Sequence, residues 1–181
     1  FEHVMATSGL RETGHSGKAL KHILETLPRD ELFQSTAEEL ARLGTGVLQL
    51  QERIRSRLFI RRDRYGDFYS ILAYVPRERF NTEVRLKLET MLKKELASDR
   101  VDSSVRLDGS PLAQVHLIVR PRPGAQVEVD EQRLEKMLAD VVRNWLDDLR
   151  DELVMVHGEA EGMALFEQFG RPLGTAYIQD A

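Results

Sequence analysis

The junction between a predicted strand and a predicted helix near residue 80 holds the side chains best suited to gripping an anion. Arg77 and Arg79 can hold a carboxylate in bidentate fashion, and Asn81 or Thr82 begins the helix. The first N–H groups of a helix are unpaired and carry partial positive charge, so an amino-acid carboxylate could dock there. The simpler interpretation, which we prefer, is that Asn81 or Thr82 caps the helix and that solvent surrounds the arginines.

A wider basic cluster runs from residue 53 to residue 87. This segment contains ten basic and four acidic residues, so its net charge is +6. Arg57 and Arg61 lie on a predicted strand inside it and are candidate interface residues. The cluster fits a solvated sheet edge, where charge prevents strand-to-strand aggregation, or a contact with acidic surfaces. Nucleic acid is disfavoured because no stacking aromatics are interleaved. The basic residues are Arg53, Arg55, Arg57, Arg61, Arg62, Arg64, Arg77, Arg79, Arg85 and Lys87.

No motif predicts a catalytic, cofactor-binding or metal site in this chain. The pair Gly44 and Gly46 lies inside a helical stripe, without the preceding strand that a dinucleotide loop needs. None of the five histidines forms a ligand pair with helical spacing, and we expect His116 to be a surface or half-buried strand residue. There is no cysteine, which excludes disulfides and thiolate sites.

Two further features have structural interpretations. The carboxylates of Asp147, Asp148, Asp151 and Glu152 point around a predicted helix rather than into one gap, so we expect a solvated acidic face. Trp145 falls on the apolar stripe of that helix and is predicted to lie in the core, with a partner interface as the alternative.

Composition is that of an ordinary globular chain. Of 181 residues, 41% are hydrophobic and 31% charged, and the net charge is −4. An acidic chain does not favour nucleic acid, and its longest apolar run, 71–75, is far below the roughly 20 residues of a membrane helix. A cytoplasmic location fits the lack of cysteine. The start at Phe1 and the polar end suggest a piece of a larger protein.

The first third of the chain is predicted to be helical. Apolar residues at helical spacing predict a helix over 18–26, ended by Pro28. Ser35 and Glu38 form a capping-box pattern before a second helix that runs to about Arg53. Before the first helix we expect a frayed helix end and a glycine-containing loop.

Two hairpins, each followed by a helix, make up the rest. Strands are predicted over 57–62 and 68–75, then over 103–107 and 113–119, where alternate residues share a face. Helices begin at Asn81 or Thr82 and at Asp130, the second running to about Leu153. A shorter helix ends near Gly170, and a tail follows. The order ββαββα predicts an α+β fold, a four-stranded antiparallel sheet with both helices on one face, as in a permuted ferredoxin-like sandwich.

Seven stretches, in the same order, resemble one family, the large bacterial NAD-dependent glutamate dehydrogenases. Together they span nearly the whole chain. They are HSGKALKHILETLPRDELFQ at 15–34, LQLQER at 48–53, RLFIRRD at 57–63, YVPRERFNTE at 74–83, SPLAQVH at 110–116, RNWLDDLR at 143–150 and HGEAEG at 157–162.

The resemblance implies an enzyme that oxidatively deaminates L-glutamate to 2-oxoglutarate with NAD. It also implies that this piece belongs to the N-terminal region, which resembles regulatory ACT-type domains, and that catalysis and NAD lie elsewhere in the parent protein. ACT-type domains bind amino acids at strand–helix junctions, which is where Arg77, Arg79, Asn81 and Thr82 fall.

We therefore expect a regulatory or scaffolding ACT-like module whose partners are other domains or subunits of the same enzyme, with an amino acid as a candidate effector. The alternative is a purely structural oligomerisation module without a ligand. The expected division is a helical linker over 1–53, the ACT-like domain over 54–157 and a C-terminal helix with a tail over 158–181.

Overall fold

The structure, a computed structural model, describes residues 2–10, 14–143 and 145–176. The chain divides into two compact units, Phe1–Ala139 and Asp140–Ala181. The first unit contains a layer of helices and a sheet, and the second contains a pair of helices.

In the ranges that the structure describes, four helices precede the sheet, and one of them was not predicted from the sequence. Their bounds are α1 Glu2–Ser8, α2 His15–Thr26, α3 Arg29–Gln34 and α4 Ala37–Glu52. The unpredicted helix is α3. It is too short for an apolar periodicity to be read, and it begins directly after Pro28, a residue that suits a helix start.

The cap of α4 lies one residue later than the sequence suggested. Thr36, not Ser35, is the N-cap: its hydroxyl accepts from the Glu39 N–H at 3.2 Å, and the Glu39 carboxylate accepts from the Thr36 N–H at 2.8 Å. The run Ser-Thr-Ala-Glu-Glu fits a capping box in either register. The predicted pair was wrong because Ser35 ends α3, donating its N–H to the carbonyl of Glu31 at 3.1 Å.

The sheet confirms the predicted fold class. Its strands are β1 Arg57–Arg62, β2 Tyr69–Pro76, β3 Ser98–Arg106 and β4 Leu112–Pro121, in the spatial order β1-β2-β4-β3 with antiparallel neighbours. Helix α5, Thr82–Glu95, joins β2 to β3, and α6, Glu131–Val142, follows β4. This strand order is that of a ferredoxin-like β-α-β-β-α-β sandwich read from its second strand.

Cross-strand register assigns the side chains to two faces, because paired residues lie on the same side of the sheet. On one face Ile71 pairs with Leu117, and α5 packs there, since the Ser103 hydroxyl of β3 donates to Glu89 at 2.6 Å. On the other face Phe59, Leu72 and His116 lie in one row. Every residue of β2 is buried, so both faces of its strand are covered.

The second face is covered by the N-terminal helices. Leu72, Tyr74 and Leu112 belong to one apolar cluster with residues of α1, α2 and α4, among them Leu20 and Leu50, both 0% exposed. The helical layer is thus part of the hydrophobic core. Because apolar burial is the main stabilising term in folding, this layer and the sheet support each other.

Two glycines of α4 mark the closest contacts of this layer. A Cβ at Gly44 would lie 2.2 Å from Leu20 Cδ1 of α2, and one at Gly46 would lie 2.8 Å from the ring of Phe59 on β1. Glycine costs a helix about 1 kcal/mol relative to alanine. Here it lets α4 approach a helix on one side and the sheet on the other.

The long helix predicted from Asp130 to Leu153 is two helices in the structure. Helix α6 ends at Val142, and α7 spans Trp145–His157. The apolar stripe runs through both segments, so periodicity by itself does not reveal the break. Helix α8, Glu159–Ala176, extends beyond the predicted end near Gly170, and 177–181 lie outside the described residues.

Within the second unit, α7 and α8 form a tight hairpin. Gly158 joins them with a φ of +81°, a conformation that glycine adopts readily. A Cβ at Gly162 would lie 2.5 to 2.6 Å from backbone atoms of Leu153 and Val154. The two backbones therefore meet where no side chain fits between them.

Candidate functional site

The strand–helix junction contains the predicted residues, several of them bound to the chain itself. Arg77 and Arg79 form one turn of 3-10 helix directly after β2. The Arg77 guanidinium donates to the carbonyl of Asp108 in the β3–β4 turn. Asn81 is the N-cap of α5, accepting from the Val84 N–H at 2.8 Å, and Thr82 is exposed beside it. Effector binding at this junction stays a prediction.

Arg57 and Arg61 share one face of β1, but the structure gives them different surroundings. The Arg57 guanidinium lies 5.1 Å from the ring centroid of Phe59, and its Nε lies 3.4 Å from a carboxylate oxygen of Glu135 on α6. Arg61 points into the helical layer. The contacts of these two arginines therefore do not join them to Arg77 and Arg79 in one site.

Arg61 is half of a buried ion pair with Glu31 of α3. Its Nη2 donates to Glu31 Oε1 at 2.8 Å and its Nε to Oε2 at 3.2 Å, the bidentate geometry that suits a guanidinium and a carboxylate. The side chains are 12% and 3% exposed. Arg61 also donates to Gln34 at 3.1 Å. This polar joint, made by Glu31, Arg61, Ser70 and His116, connects the helical layer to three strands.

Ser70 and His116 complete the polar joint from β2 and β4. The Ser70 hydroxyl lies 2.8 Å from His116 Nε2, and the same nitrogen lies 4.0 Å from Glu31 Oε1. In a nucleophilic triad the base contacts the nucleophile through one ring nitrogen and the acid through the other. Here both groups face one nitrogen and Ser70 is 2% exposed, so the geometry fastens elements together and does not activate a nucleophile.

Burial and charge set the ionisation of the polar joint. Burial by itself raises the pKa of Glu31, but hydrogen bonds from Arg61 and Ser70 and the Arg61 charge outweigh it and hold that pKa below 4.5. Burial lowers the pKa of His116, partly offset by the negative charge of Glu31. Both directions favour an ionised Glu31 beside a neutral His116 near neutral pH.

Sequence reasoning placed Arg61 and His116 on strands but did not connect them to Glu31 or Ser70. One signal was available: Ser70 carries a small polar side chain near the start of a strand that is otherwise apolar and aromatic. A buried hydroxyl requires a hydrogen-bond partner. Nothing local identifies that partner.

The part of the chain that the structure describes contains neither a candidate metal cluster nor a membrane-spanning helix. Among those residues no three His, Cys, Asp or Glu side chains are grouped so that they could hold a metal ion. Within the same ranges no helix has the length and apolar character needed to cross a membrane.

Of the acidic residues on α7, Asp151 pairs with Arg143 at 2.6 Å and Arg150 at 2.8 Å, and Asp147 is buried. The side chains of Trp145 and Asp148 lie outside what the structure describes.

The permuted four-stranded sheet, with α5 on one face and a helical layer on the other, defines an ACT-type α+β module. Comparison with protein families agrees: residues 57–146 match the glutamate dehydrogenase ACT2 domain, and residues 1–53 match glutamate dehydrogenase helical motif 1. The chain belongs to the family of NAD-specific glutamate dehydrogenases, as the resemblance predicted.

Three curated relatives carry the name NAD-specific glutamate dehydrogenase. The protein from Halomonas elongata is 42% identical over 180 residues, which is 99% of this chain and 11% of the relative. That from Pseudomonas aeruginosa is 37% identical over 174 residues, 96% of this chain and 11% of the relative. That from Mycobacterium tuberculosis is 33% identical over 150 residues, 76% and 9%. The chain thus spans about a tenth of the length of these relatives.

Proposed function

We propose that this chain is a regulatory and scaffolding module of an enzyme that oxidatively deaminates L-glutamate to 2-oxoglutarate with NAD. The names of the relatives support the parent activity, and the matched ACT2 and helical-motif regions support the role of this part. The proposal includes NAD as cofactor of the parent enzyme and other domains or subunits as partners. It also includes a cytoplasmic location, which fits a chain without cysteine.

The observation that carries the scaffolding role is the polar joint together with the apolar cluster around it. Residues of the helical motif and of the ACT sheet share one core, and Glu31 of the helical motif forms an ion pair with Arg61 of the sheet. A layer fixed in this way moves with the sheet. A ligand or partner that binds one surface can then shift the population of states seen at another, provided that it binds those states unequally.

We propose that an amino-acid effector, where one acts, binds at the junction formed by Arg77, Arg79, Asn81 and Thr82. Isothermal titration calorimetry of the chain with aspartate, arginine and glutamate tests this. Thr82→Glu puts a carboxylate where the effector's carboxylate would lie. It adds an acid beside Glu83 in the first turn of α5, where the helix dipole favours negative charge. Thr90→Glu, at an exposed position of the same helix, is the matched control.

We expect Thr82→Glu to remove the binding heat and Thr90→Glu to keep it. A flat titration of folded wild-type chain would mean that no effector site is complete here. Combined with a stable dimer or larger assembly in multi-angle light scattering, that result would favour the alternative, a structural oligomerisation module without a ligand.

Catalysis is proposed to lie in the rest of the parent enzyme. The isolated chain, mixed with L-glutamate and NAD, is expected to form no NADH above the rate of a protein-free control. The proposal would be overturned by an increase in absorbance at 340 nm that requires glutamate and is proportional to the concentration of the purified chain.

A further inference from the structure

An open groove lies at the end of the sheet opposite the Arg77–Thr82 junction. The β1–β2 turn, the end of β4 and the segment 122–128 that leads toward α6 line it, and its volume is about 860 Å³. Neither the ACT2 match nor the predicted effector junction assigns a role to this groove.

Two hydrogen-bond donors that the β1–β2 hairpin contributes to the groove have no partner among the described residues. One is the guanidinium of Arg62, an exposed residue at the end of β1. The other is the hydroxyl of Tyr69, whose residue is only 6% exposed. In the described part of the chain no side-chain oxygen that is sealed from solvent lacks a partner, so the Tyr69 hydroxyl reaches solvent, and Tyr69 lines the groove.

The other two arginines of the groove are already engaged. Arg120 pairs with Asp102 at 2.8 Å, and Arg122 lies 3.5 Å from Asp99. Gly66 leaves space for Arg62 to fold over the turn, because a Cβ there would lie 3.0 Å from its Nη2. The groove therefore holds one guanidinium without a partner in the described residues beside one largely buried phenol whose hydroxyl reaches solvent.

We propose that this groove binds a small organic molecule through a carboxylate, which Arg62 holds in bidentate fashion while the Tyr69 hydroxyl donates a further hydrogen bond. A planar guanidinium matches a carboxylate. Asp67 and Glu128 at the rim repel the greater charge of a phosphate. Pro121, Pro123 and Val127 offer apolar surface to the remainder of the ligand, and the groove is far larger than a bare anion needs.

The test titrates benzoate, benzamide and inorganic phosphate into ¹⁵N-labelled chain and follows its amide signals. Benzoate carries the carboxylate on an apolar ring, benzamide is its neutral isostere, and phosphate is a bare anion. We expect benzoate to shift signals of residues 62–69 and 120–128. Benzamide should bind at least about tenfold more weakly, since a hydrogen bond to a charged group is worth about that factor. Phosphate should also bind more weakly, because Asp67 and Glu128 repel its greater charge and it has no apolar part to contact the prolines.

Three variants locate the binding. Arg62→Gln is expected to weaken benzoate about tenfold and Tyr69→Phe about fivefold. Arg64→Gln removes the same charge from an exposed residue of the same turn that does not line the groove, and should change affinity less than about twofold. Circular dichroism verifies that each variant is folded; should Tyr69→Phe unfold, the comparison of Arg62→Gln with Arg64→Gln decides.

The proposal is overturned if benzoate causes no shifts in this region or if phosphate binds as tightly as benzoate. Equal weakening by Arg62→Gln and Arg64→Gln would overturn it as well, because it would reduce the effect to general electrostatic attraction. None of these outcomes bears on the scaffolding role or on the effector junction.

Discussion

At the scale of single residues, the buried pair of Glu31 and Arg61 has the largest expected effect. Removing two charges from water costs several kcal/mol per ion, and bidentate contact offsets that cost only while both partners are present. Glu31 is 3% exposed, so it has little access to water if its partner is lost. The pair therefore specifies where α3 lies on the sheet more than it adds net stability.

Replacing Arg61 with Met should lower the free energy of unfolding by about 3 kcal/mol, because a buried carboxylate loses its partner. The double variant Glu31→Leu/Arg61→Met should recover most of that loss. Urea denaturation followed by circular dichroism measures both. Arg64→Met, at an exposed residue, is the control and should change stability by less than about 0.5 kcal/mol. A single variant as stable as the wild type would show that Glu31 reaches solvent after all.

Acidification should destabilise the chain through the polar joint. Unfolded His116 has its ordinary pKa of 6.5, and burial lowers the pKa in the folded state. The unfolded state then binds more protons, so the stabilisation is complete above pH 6.5 and decreases as the pH falls below it toward the lowered value. The lowered pKa of Glu31 acts in the same direction below pH 4.5.

We expect His116→Gln to flatten the pH dependence of the free energy of unfolding between about pH 7 and pH 5, because the amide can still bond Ser70 but cannot titrate. His22→Gln, the same substitution at an exposed residue, is the control variant. Chemical denaturation at each pH measures the slope. An unchanged slope in His116→Gln would mean that His116 is not the titrating group.

At the scale of elements, glycines decide how closely neighbours pack. Gly44 and Gly46 let α4 contact α2 and β1, and Gly162 lets α8 contact the backbone of α7. Helix propensity would favour alanine at all three positions. Steric contact opposes it, most strongly at Gly162, where the neighbouring atoms are backbone and cannot rotate away as a side chain can.

Gly162→Ala should therefore destabilise the α7–α8 hairpin by about 1–3 kcal/mol in spite of its better helix propensity. Hydrogen exchange of the α7 and α8 amides measures the local effect. Gly109→Ala is the control, since a Cβ there meets no atom within 4 Å. Unchanged or increased amide protection in Gly162→Ala would show that the two helices do not meet at Gly162.

At the scale of the whole molecule, the sheet needs its helical layer. Leu72, Tyr74 and Leu112 belong to one apolar cluster with the N-terminal helices. A chain that lacks residues 1–53 would expose this face, and large exposed apolar patches lead to association.

We expect that shortened chain to aggregate or to bind a hydrophobic dye such as ANS. A chain that ends at residue 143 keeps both layers of the first unit and should remain monodisperse. Size-exclusion chromatography with dye fluorescence compares the two. A monodisperse chain of residues 54–181 that binds no dye would contradict the structural role assigned to the helical layer.

Local patterns determined much of the fold. Alternation in 113–119 put Val115 and Leu117 on one face and His116 on the other, as the register confirms, and Asn81 was identified as a cap candidate. The two hairpins and their following helices determined the fold class. These features depend on neighbours close in sequence, so a single sequence reveals them.

Tertiary structure decided the rest. Glu31 and Arg61 are thirty residues apart in sequence. The ring of Phe59 on β1 leaves no room for a side chain at position 46 of α4. By sequence, Ser35 and Thr36 are equally good N-caps for α4. Only the structure shows that Ser35 is the C-cap of α3, which leaves Thr36 as the N-cap of α4. Such contacts arise only when separate elements pack together, and periodicity describes each element by itself. The sequence therefore specified which elements form and which faces are apolar, whereas packing specified which polar groups meet.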